Sequence, residues 1–173
     1  SKFYPVLFLV PLLLKVRGGY ERLKTFSVFL LTAFAVNVYF MLANFPGLYY
    51  FFALNQTRNS NPDSIWTTIR FVAGDLSIST INIISLLLFL LGAAIVLWKM
   101  RERTMPEIGL GLTLVFLLTN KVFTPQYLLW LLPFFVLIPA IKKIPFYMLE
   151  FSNAAVLFTI LPWFFLGKDI FYF

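Results

Sequence analysis

Apolar residues occur along the chain in six runs that polar stretches separate. Three of these runs contain 21 residues each, which is enough to cross a bilayer because a membrane helix needs about 20 mostly apolar residues. The first run has only 12 residues and is expected to be a truncated crossing. The pattern therefore predicts an all-α, polytopic membrane helical bundle with about six transmembrane segments. The runs occupy residues 3–14, 25–45, 78–98, 105–123, 125–141 and 146–166.

The fourth run has a sequence signal for its first turn. Thr104 precedes a proline in the first turn and Glu107 at the third helical position, which is the spacing of a capping box. From this start we expect a helix that continues to Phe123, about 28 Å long at the usual rise per residue. Lys121 would then lie in the last turn of that helix.

Thr124 and Pro125 follow at once and have the composition of a second helix start, with an N-cap and a first-turn proline. The fifth run is expected to form a helix that Pro133 and Pro139 kink. The stretch between the fourth and fifth runs is therefore predicted to be a tight turn between two membrane helices.

A long connection, residues 46–75, separates the second run from the third. Its aromatic beginning, FPGLYYFFALN, is typical of a segment at the membrane interface. Its end, SIWTTIRFVAG, carries apolar residues at i, i+4 and i+7 from Ile65, after an Asp63 or Ser64 cap. This spacing predicts a short amphipathic helix that lies on the membrane.

The composition supports the membrane interpretation. The 173 residues are 61% hydrophobic and 12% charged, whereas soluble domains are about 25% charged. The chain has no Cys and no His, which excludes disulfides, Cys/His zinc sites and histidine bases within it. Because a short apolar run follows Ser1 almost at once, we expect residues 1–173 to be a single transmembrane domain that belongs to a larger multi-spanning protein.

The net charge of +7 follows the predicted topology. Nine Lys and Arg residues fall in stretches that alternating crossings place on one side, and the positive-inside rule makes that side cytoplasmic. The chain is thus expected to be an integral multi-pass protein of the plasma or endoplasmic reticulum membrane, with membrane lipids and no nucleic acid as partners. The basic stretches are 15–24, 99–107 and 142–143. The opposite face receives Arg58, Arg70, Lys121 and Lys168.

A polar cluster stands between two apolar runs in TNKVFTPQYLLWLLP, residues 119–133. Lys121 is its cation, and Asn120, Thr124 and Gln126 add hydrogen-bonding side chains. A phosphate group accepts several charge-assisted hydrogen bonds, and the helix start that follows also attracts anions. The cluster therefore indicates a phosphate site. The alternative is a lysine that reaches the interface from a helix end.

Two further cations are candidates for the same site. Arg58, in NQTRNSNPDS, lies on the same predicted face and is either solvated or forms a fork for phosphate oxygens. Lys2 would lie about 20 Å along a helix from Lys15, still within the hydrocarbon core, where an ionisable group needs a partner. No D-x-D pair occurs, and no catalytic residue is assigned.

Three stretches, SKFYPVLFLVPLLL, TRNSNPDSIW and above all NKVFTPQYLLWLLP, resemble the GT-C glycosyltransferases that use polyprenyl-phosphate sugars. The chain is most similar to the C-terminal half of the mannosyltransferases that add the first mannose of the GPI anchor, and to their prokaryotic relatives. The likeness runs in order through nearly all 173 residues.

The resemblance implies transfer of a sugar, expected to be mannose, from a polyprenyl-phosphate donor to a lipid- or protein-linked glycan acceptor on the non-cytoplasmic face. By motif, Lys121, Gln126 and Tyr127 match donor-phosphate contacts, with Arg58 and Lys2 as companions. Family members carry the catalytic acid in a first external loop that this chain lacks. No cofactor is expected in this chain, and a divalent metal stays open for the full-length enzyme.

Two other functions stay open on the residues alone. A transporter or flippase for an anionic substrate would use Lys2, Arg58 and Lys121 to line its path, although neither inverted repeats nor broken helices are evident. A non-catalytic membrane subunit would need only packing surfaces.

Overall fold

The computed structural model describes residues 4–61, 64–139 and 143–165, and every regular element in these ranges is helical. The predicted all-α class is confirmed. Two compact units divide the chain, Ser1–Thr124 and Pro125–Phe173. The helices are α1 Leu9–Lys15, α2 Gly19–Ala43, α3 Phe45–Thr57, α4 Ile65–Ala73, α5 Ile78–Lys99, α6 Met105–Thr119, α7 Leu132–Leu137 and α8 Ile144–Phe165, with 3₁₀ helices at Tyr4–Phe8 and Pro125–Leu131.

Two helices, α2 with 25 residues and α5 with 22, are long and apolar enough to cross a membrane. None of the apolar window of α2 is buried, and only 6% of that of α5 is. Helices this apolar are costly to expose to water, so their free surfaces indicate contact with lipid. Membrane association therefore follows for this part of the chain, and the full set of six crossings stays a prediction.

The α5–α6 hairpin is the main packing contact of the first unit. Glycine allows the two helices to approach closely at two places: a Cβ at Gly92 would lie 2.7 Å from Val115 Cγ1, and one at Gly111 3.0 Å from Val96 Cγ1. Small residues at such contacts are typical of membrane helix pairs. This pairing fixes where the far end of α6 lies.

Helix α6 begins as predicted but ends early. The backbone N–H and the hydroxyl of Thr104 both donate to Glu107 Oε2 at 2.8 Å, which confirms the capping box. The helix ends at Thr119, so the predicted end at Phe123 was wrong. The carbonyl of Thr119 instead accepts hydrogen bonds from the side chains of Trp66 and Ser85. These two side-chain donors therefore bind the carbonyl that a backbone N–H would bind if the helix continued.

The connection between α2 and α5 is more helical than expected, because α3 occupies the aromatic stretch. The predicted amphipathic helix is confirmed as α4, and Ser64 caps it by accepting from Trp66 N at 3.2 Å. Asp63, the other candidate cap, lies outside the described residues. Trp66 is buried on α4, whereas Ile65, Phe71 and Val72 are exposed. The helix therefore packs against the protein through Trp66 and exposes these apolar residues.

The predicted fifth helix is continuous in helical backbone over residues 125–137, but it changes from 3₁₀ to α geometry at Leu131 and ends before Pro139. Pro125–Leu131 forms a 3₁₀ helix, and α7 begins at Leu132 with Pro133 in its first turn. Pro133 therefore starts a helix, where its missing N–H costs nothing. Helix α7 ends at Leu137, because Pro139 disfavours helical backbone at the residue before it. In the same unit, the Phe135 and Phe146 rings lie 4.2 Å apart and join α7 to α8.

Within the first unit, charged segments gather at opposite ends. The Lys15 ammonium donates to the carbonyl of Arg101 at 2.7 Å, so the end of α1 lies beside the α5–α6 turn. The other ends of α5 and α6 meet where Ser85 contacts the carbonyl of Thr119. The predicted separation of the basic stretches 15–24 and 99–107 from Lys121 is thus present in this unit.

Candidate functional site

Lys121 lies just beyond the end of α6 and is only 7% exposed. Its ammonium donates to the backbone carbonyl of Gln56 at 3.2 Å. Within residues 4–61, 64–139 and 143–165, no carboxylate lies within ion-pair distance of it. A lysine has three N–H donors, so the Gln56 carbonyl leaves donors for another acceptor. Among the described residues, the ammonium of this buried side chain thus has one hydrogen-bond acceptor, the Gln56 carbonyl.

The backbone around Lys121 is held by Asn61, in the connection between α3 and α4. Asn61 N donates to the carbonyl of Lys121 at 3.1 Å, and its side-chain amide donates to the carbonyl of Phe123 at 3.0 Å. Two segments far apart in sequence are therefore joined over three consecutive residues. The sequence offered no signal for Asn61 beyond its polar, turn-forming neighbours.

Trp66 fixes the preceding turn from the α4 side. Its indole N–H donates to the carbonyl of Thr119 at 2.8 Å, and the residue is 2% exposed. Ser64, at the start of the same helix, donates to the carbonyl of Asn120 at 3.4 Å. Because a buried indole N–H requires a partner, Trp66 ties the position of α4 to the end of α6. No signal in the sequence had pointed to this role of Trp66.

Arg58 is near Lys121 and acts on its charge. The Arg58 guanidinium donates to Asn61 Oδ1 at 3.4 Å, so it contacts the asparagine whose backbone N–H binds the carbonyl of Lys121. Burial lowers the pKa of Lys121 below its ordinary value, and the positive charge of Arg58 lowers that pKa further. Two cations whose mutual repulsion no described carboxylate relieves favour an anion as the missing partner.

A cleft of about 670 Å³ opens beside the Gln56 carbonyl that Lys121 contacts. Its walls come from the end of α3 and the start of α5, and they carry the amides of Asn55, Gln56 and Asn82 together with the ring of Phe52. Asn82 donates to the same Gln56 carbonyl at 2.9 Å. Amides beside an aromatic ring suit a polyhydroxylated ligand, because amides donate and accept hydrogen bonds.

The remaining predicted site residues are placed separately. The side-chain oxygen of Asn120 accepts from Val122 N at 3.2 Å, which makes it part of the turn. Thr124 is half-buried at the end of the first unit. Tyr127 belongs to the second unit, where its ring stacks on that of Trp130 at 4.6 Å.

The side chains of two predicted site residues, Gln126 and Lys2, lie outside the part of the chain that the structure describes. The backbone of Gln126 is helical, but its side chain lies outside the described part of the chain. Lys2 also lies outside the described residues. The structure thus brings Lys121 and Arg58 together, while the side chain of Asn120 is used within the turn.

Comparison with protein-family models, with curated proteins and with solved structures gives no match to this chain. Within the described ranges, no group of three or more His, Cys, Asp and Glu side chains could hold a metal ion. The arrangement of Lys121 and Arg58 is therefore the chemical feature on which a function can be argued.

Proposed function

We propose that this chain is the membrane part of a GT-C-type glycosyltransferase that transfers a sugar, mannose in our proposal, from a polyprenyl-phosphate donor to a lipid- or protein-linked glycan. The observation that carries the proposal is Lys121, a cation 7% exposed that no described carboxylate neutralises. A buried charge without a counter-charge is costly unless a ligand supplies one. A lipid-linked phosphate supplies the charge and reaches the site from the bilayer.

Lys121 and Arg58 have distinct roles in this proposal. Lys121 donates to one phosphate oxygen from a fixed position, because Asn61 holds its backbone. Arg58, which is exposed, adds a planar fork for a second oxygen. As the bond between the sugar C1 and the phosphate oxygen breaks, negative charge grows on the leaving polyprenyl phosphate, and these cations stabilise it.

The sugar itself has a candidate position in the amide-lined cleft at Phe52, Asn55 and Asn82, next to the Gln56 carbonyl. By the family resemblance, an acidic residue in another external loop accepts the proton of the acceptor hydroxyl through its carboxylate. In the proposed topology the site lies on the non-cytoplasmic face, and six crossings by this chain complete the bundle.

The test is sugar transfer by the full-length protein in membranes, with radiolabelled polyprenyl-phosphate mannose as donor. Lys121→Met should reduce transfer by about 100-fold or more, whereas Lys121→Arg should keep part of it because the charge remains. Lys24→Met is the matched control: its side chain is 61% exposed, and it lies in the basic stretch of the opposite end. Full activity of Lys121→Met with normal expression would contradict the proposal.

The same variants distinguish the alternative of a transporter. A transporter for an anionic substrate would lose substrate movement across reconstituted vesicles in Lys121→Met and would show no sugar transfer in the unmodified protein. We expect transfer without net movement of the donor.

A further inference from the structure

A second basic site lies at the opposite end of the first unit from Lys121. A cavity of about 380 Å³ opens where the end of α1, the start of α2 and the α5–α6 turn meet. Four cations and one carboxylate line it: Lys15, Arg17, Arg22, Arg101 and Glu102. This cavity shares no lining residue with the cleft beside Gln56.

The charges of this cavity are unbalanced. Arg101 pairs with Glu102 at 3.3 Å, which accounts for the only carboxylate in the lining. No described carboxylate lies within ion-pair distance of the remaining three cations, Lys15, Arg17 and Arg22. Like charges held around one cavity repel one another, so an anion that enters it is stabilised.

Two of these cations are fixed by backbone contacts rather than by acids. Lys15 donates to the carbonyl of Arg101 at 2.7 Å, and Arg22 Nε donates to the carbonyl of Val16 at 3.0 Å. Carbonyl oxygens orient the side chains without cancelling their charge. The guanidinium of Arg22 keeps its terminal N–H groups for another acceptor, because the contact uses Nε alone.

The turn between α1 and α2 adds to the positive field. Gly18 adopts a φ of 89°, a conformation that favours glycine, and no side chain caps the first turn of α2. The unsatisfied N–H groups at a helix start attract anions. The start of α2 lies two residues beyond Arg17, so its dipole acts on the same region as the cavity.

The other walls of the cavity are apolar. Pro11, Leu14, Leu97 and Ile108 contribute to the lining, and Leu14 is 58% exposed. A free inorganic anion would gain nothing from these side chains, whereas a phosphate attached to glycerol and acyl chains would contact both parts. Basic pockets between membrane helices on the cytoplasmic side bind lipid head groups in this way.

We infer that this cavity binds the phosphate head group of an anionic phospholipid from the leaflet on the basic side of the protein. The inference is independent of the proposed sugar transfer, because it rests on residues at the other end of α5 and α6. An occupied site would tie α1, α2 and the α5–α6 turn together through one ligand.

The test is lipid binding by the full-length protein in a neutral detergent. Binding is measured as the rise in melting temperature with lipid concentration. Dioctanoyl phosphatidylglycerol should raise the melting temperature in a saturable manner, and dioctanoyl phosphatidylcholine should not. Arg17→Gln is the informative variant because Arg17 is exposed and has no hydrogen bond or ion pair within the described residues. We expect its Kd for phosphatidylglycerol to rise about five-fold, the equivalent of about 1 kcal/mol.

Lys24→Gln is the matched control, since it removes an exposed cation from the same stretch that does not line the cavity. Equal weakening by both variants would show a diffuse attraction and would overturn the site. Inorganic phosphate should not raise the melting temperature at the concentrations at which the lipid does. If inorganic phosphate raised the melting temperature as much as the lipid does, the ligand would be free phosphate rather than a phospholipid. If neither ligand raised the melting temperature, the inference would be wrong.

Discussion

At the scale of single residues, Lys121 shows how a buried charge and a ligand are linked. The protein gives its ammonium one carbonyl, from Gln56, and places a second cation, Arg58, close by. Burial and the charge of Arg58, not the carbonyl contact, make the charged state less favourable in the empty protein. An anion bound beside the two cations would offset this cost, as the proposed donor-phosphate site requires.

This linkage predicts a pH dependence of stability. Since the folded protein lowers the pKa of Lys121, the unfolded chain binds more protons between that lowered pKa and the ordinary lysine value of about 10.4. The free energy of unfolding should therefore rise with pH across this window, in the absence of donor. Chemical denaturation at several alkaline pH values measures the slope. Lys121→Met should reduce it, and Lys24→Met should leave it unchanged.

Donor binding should show the opposite dependence. Phosphate recognition needs the charged ammonium, so KM for the polyprenyl-phosphate donor should increase as the pH rises through the lowered pKa of Lys121. In Lys121→Arg the guanidinium stays protonated throughout. The alkaline increase in KM should therefore disappear in that variant, and its persistence would assign the titration to another group.

Asn61 offers a test of positioning at the same scale. Asn61→Ala removes the side-chain bond to the carbonyl of Phe123 and the contact with Arg58, while the backbone bond to Lys121 remains. Such hydrogen bonds contribute about 1 kcal/mol each. We expect KM for the donor to rise by several-fold with little change in kcat. Asn37→Ala, which loses only a bond to a carbonyl of its own helix, should leave KM unchanged.

At the scale of elements, capping signals in the sequence placed the starts of α4 and α6 correctly. The Thr104–Glu107 capping box and the start of α4 were predicted from neighbouring residues alone, because caps are local interactions. The end of α6 was missed because Trp66 and Ser85, distant in sequence, supply the donors at Thr119. Lys121 could be predicted as a site residue because its polar neighbours are adjacent in sequence. The roles of Asn61 and Trp66 could not be predicted, because they depend on tertiary contacts.

The α5–α6 contact gives a stability prediction at this scale. Gly92→Ala places a Cβ 2.7 Å from Val115 Cγ1, so either the Val115 side chain or one of the two helices must shift. We expect a loss of about 1–3 kcal/mol, seen as a lower melting temperature of the purified protein. Val115→Ala in the same chain should restore part of it. Gly19→Ala, at a position with nothing within 4 Å, should have little effect.

At the scale of the whole molecule, the orientation in the membrane stays a prediction. The first unit carries its basic stretches 15–24 and 99–107 at one end and Lys121 at the other, which is the separation from which the positive-inside rule predicts the orientation. The sequence could predict this separation of charge because the lengths of the apolar runs and the positions of the charged residues are read directly from it. It could not predict the change from 3₁₀ to α geometry at Leu131, which depends on how two proline-containing segments fold.

Labelling of single cysteines tests this orientation. Residues 1–173 contain no cysteine, so a cysteine introduced in place of Asn59 reports its position alone once any cysteines outside these residues are replaced. A membrane-impermeant maleimide should label Asn59→Cys from the non-cytoplasmic side of intact cells or sealed vesicles. Arg103→Cys, exposed at the opposite end of the unit, should react only after the membrane is permeabilised. The reverse pattern would invert the topology.

The attachment of α4 has a consequence for how the bilayer influences the site. Its outward residues Phe71 and Val72 are suited to lie among lipid chains, while the indole of Trp66 is bonded to the last carbonyl of α6. Any vertical displacement of α4 by a thinner or thicker bilayer would thus be transmitted to the backbone next to Lys121. Turnover in proteoliposomes should accordingly peak at one acyl-chain length, and Trp66→Phe, which lacks the indole donor, should broaden that optimum.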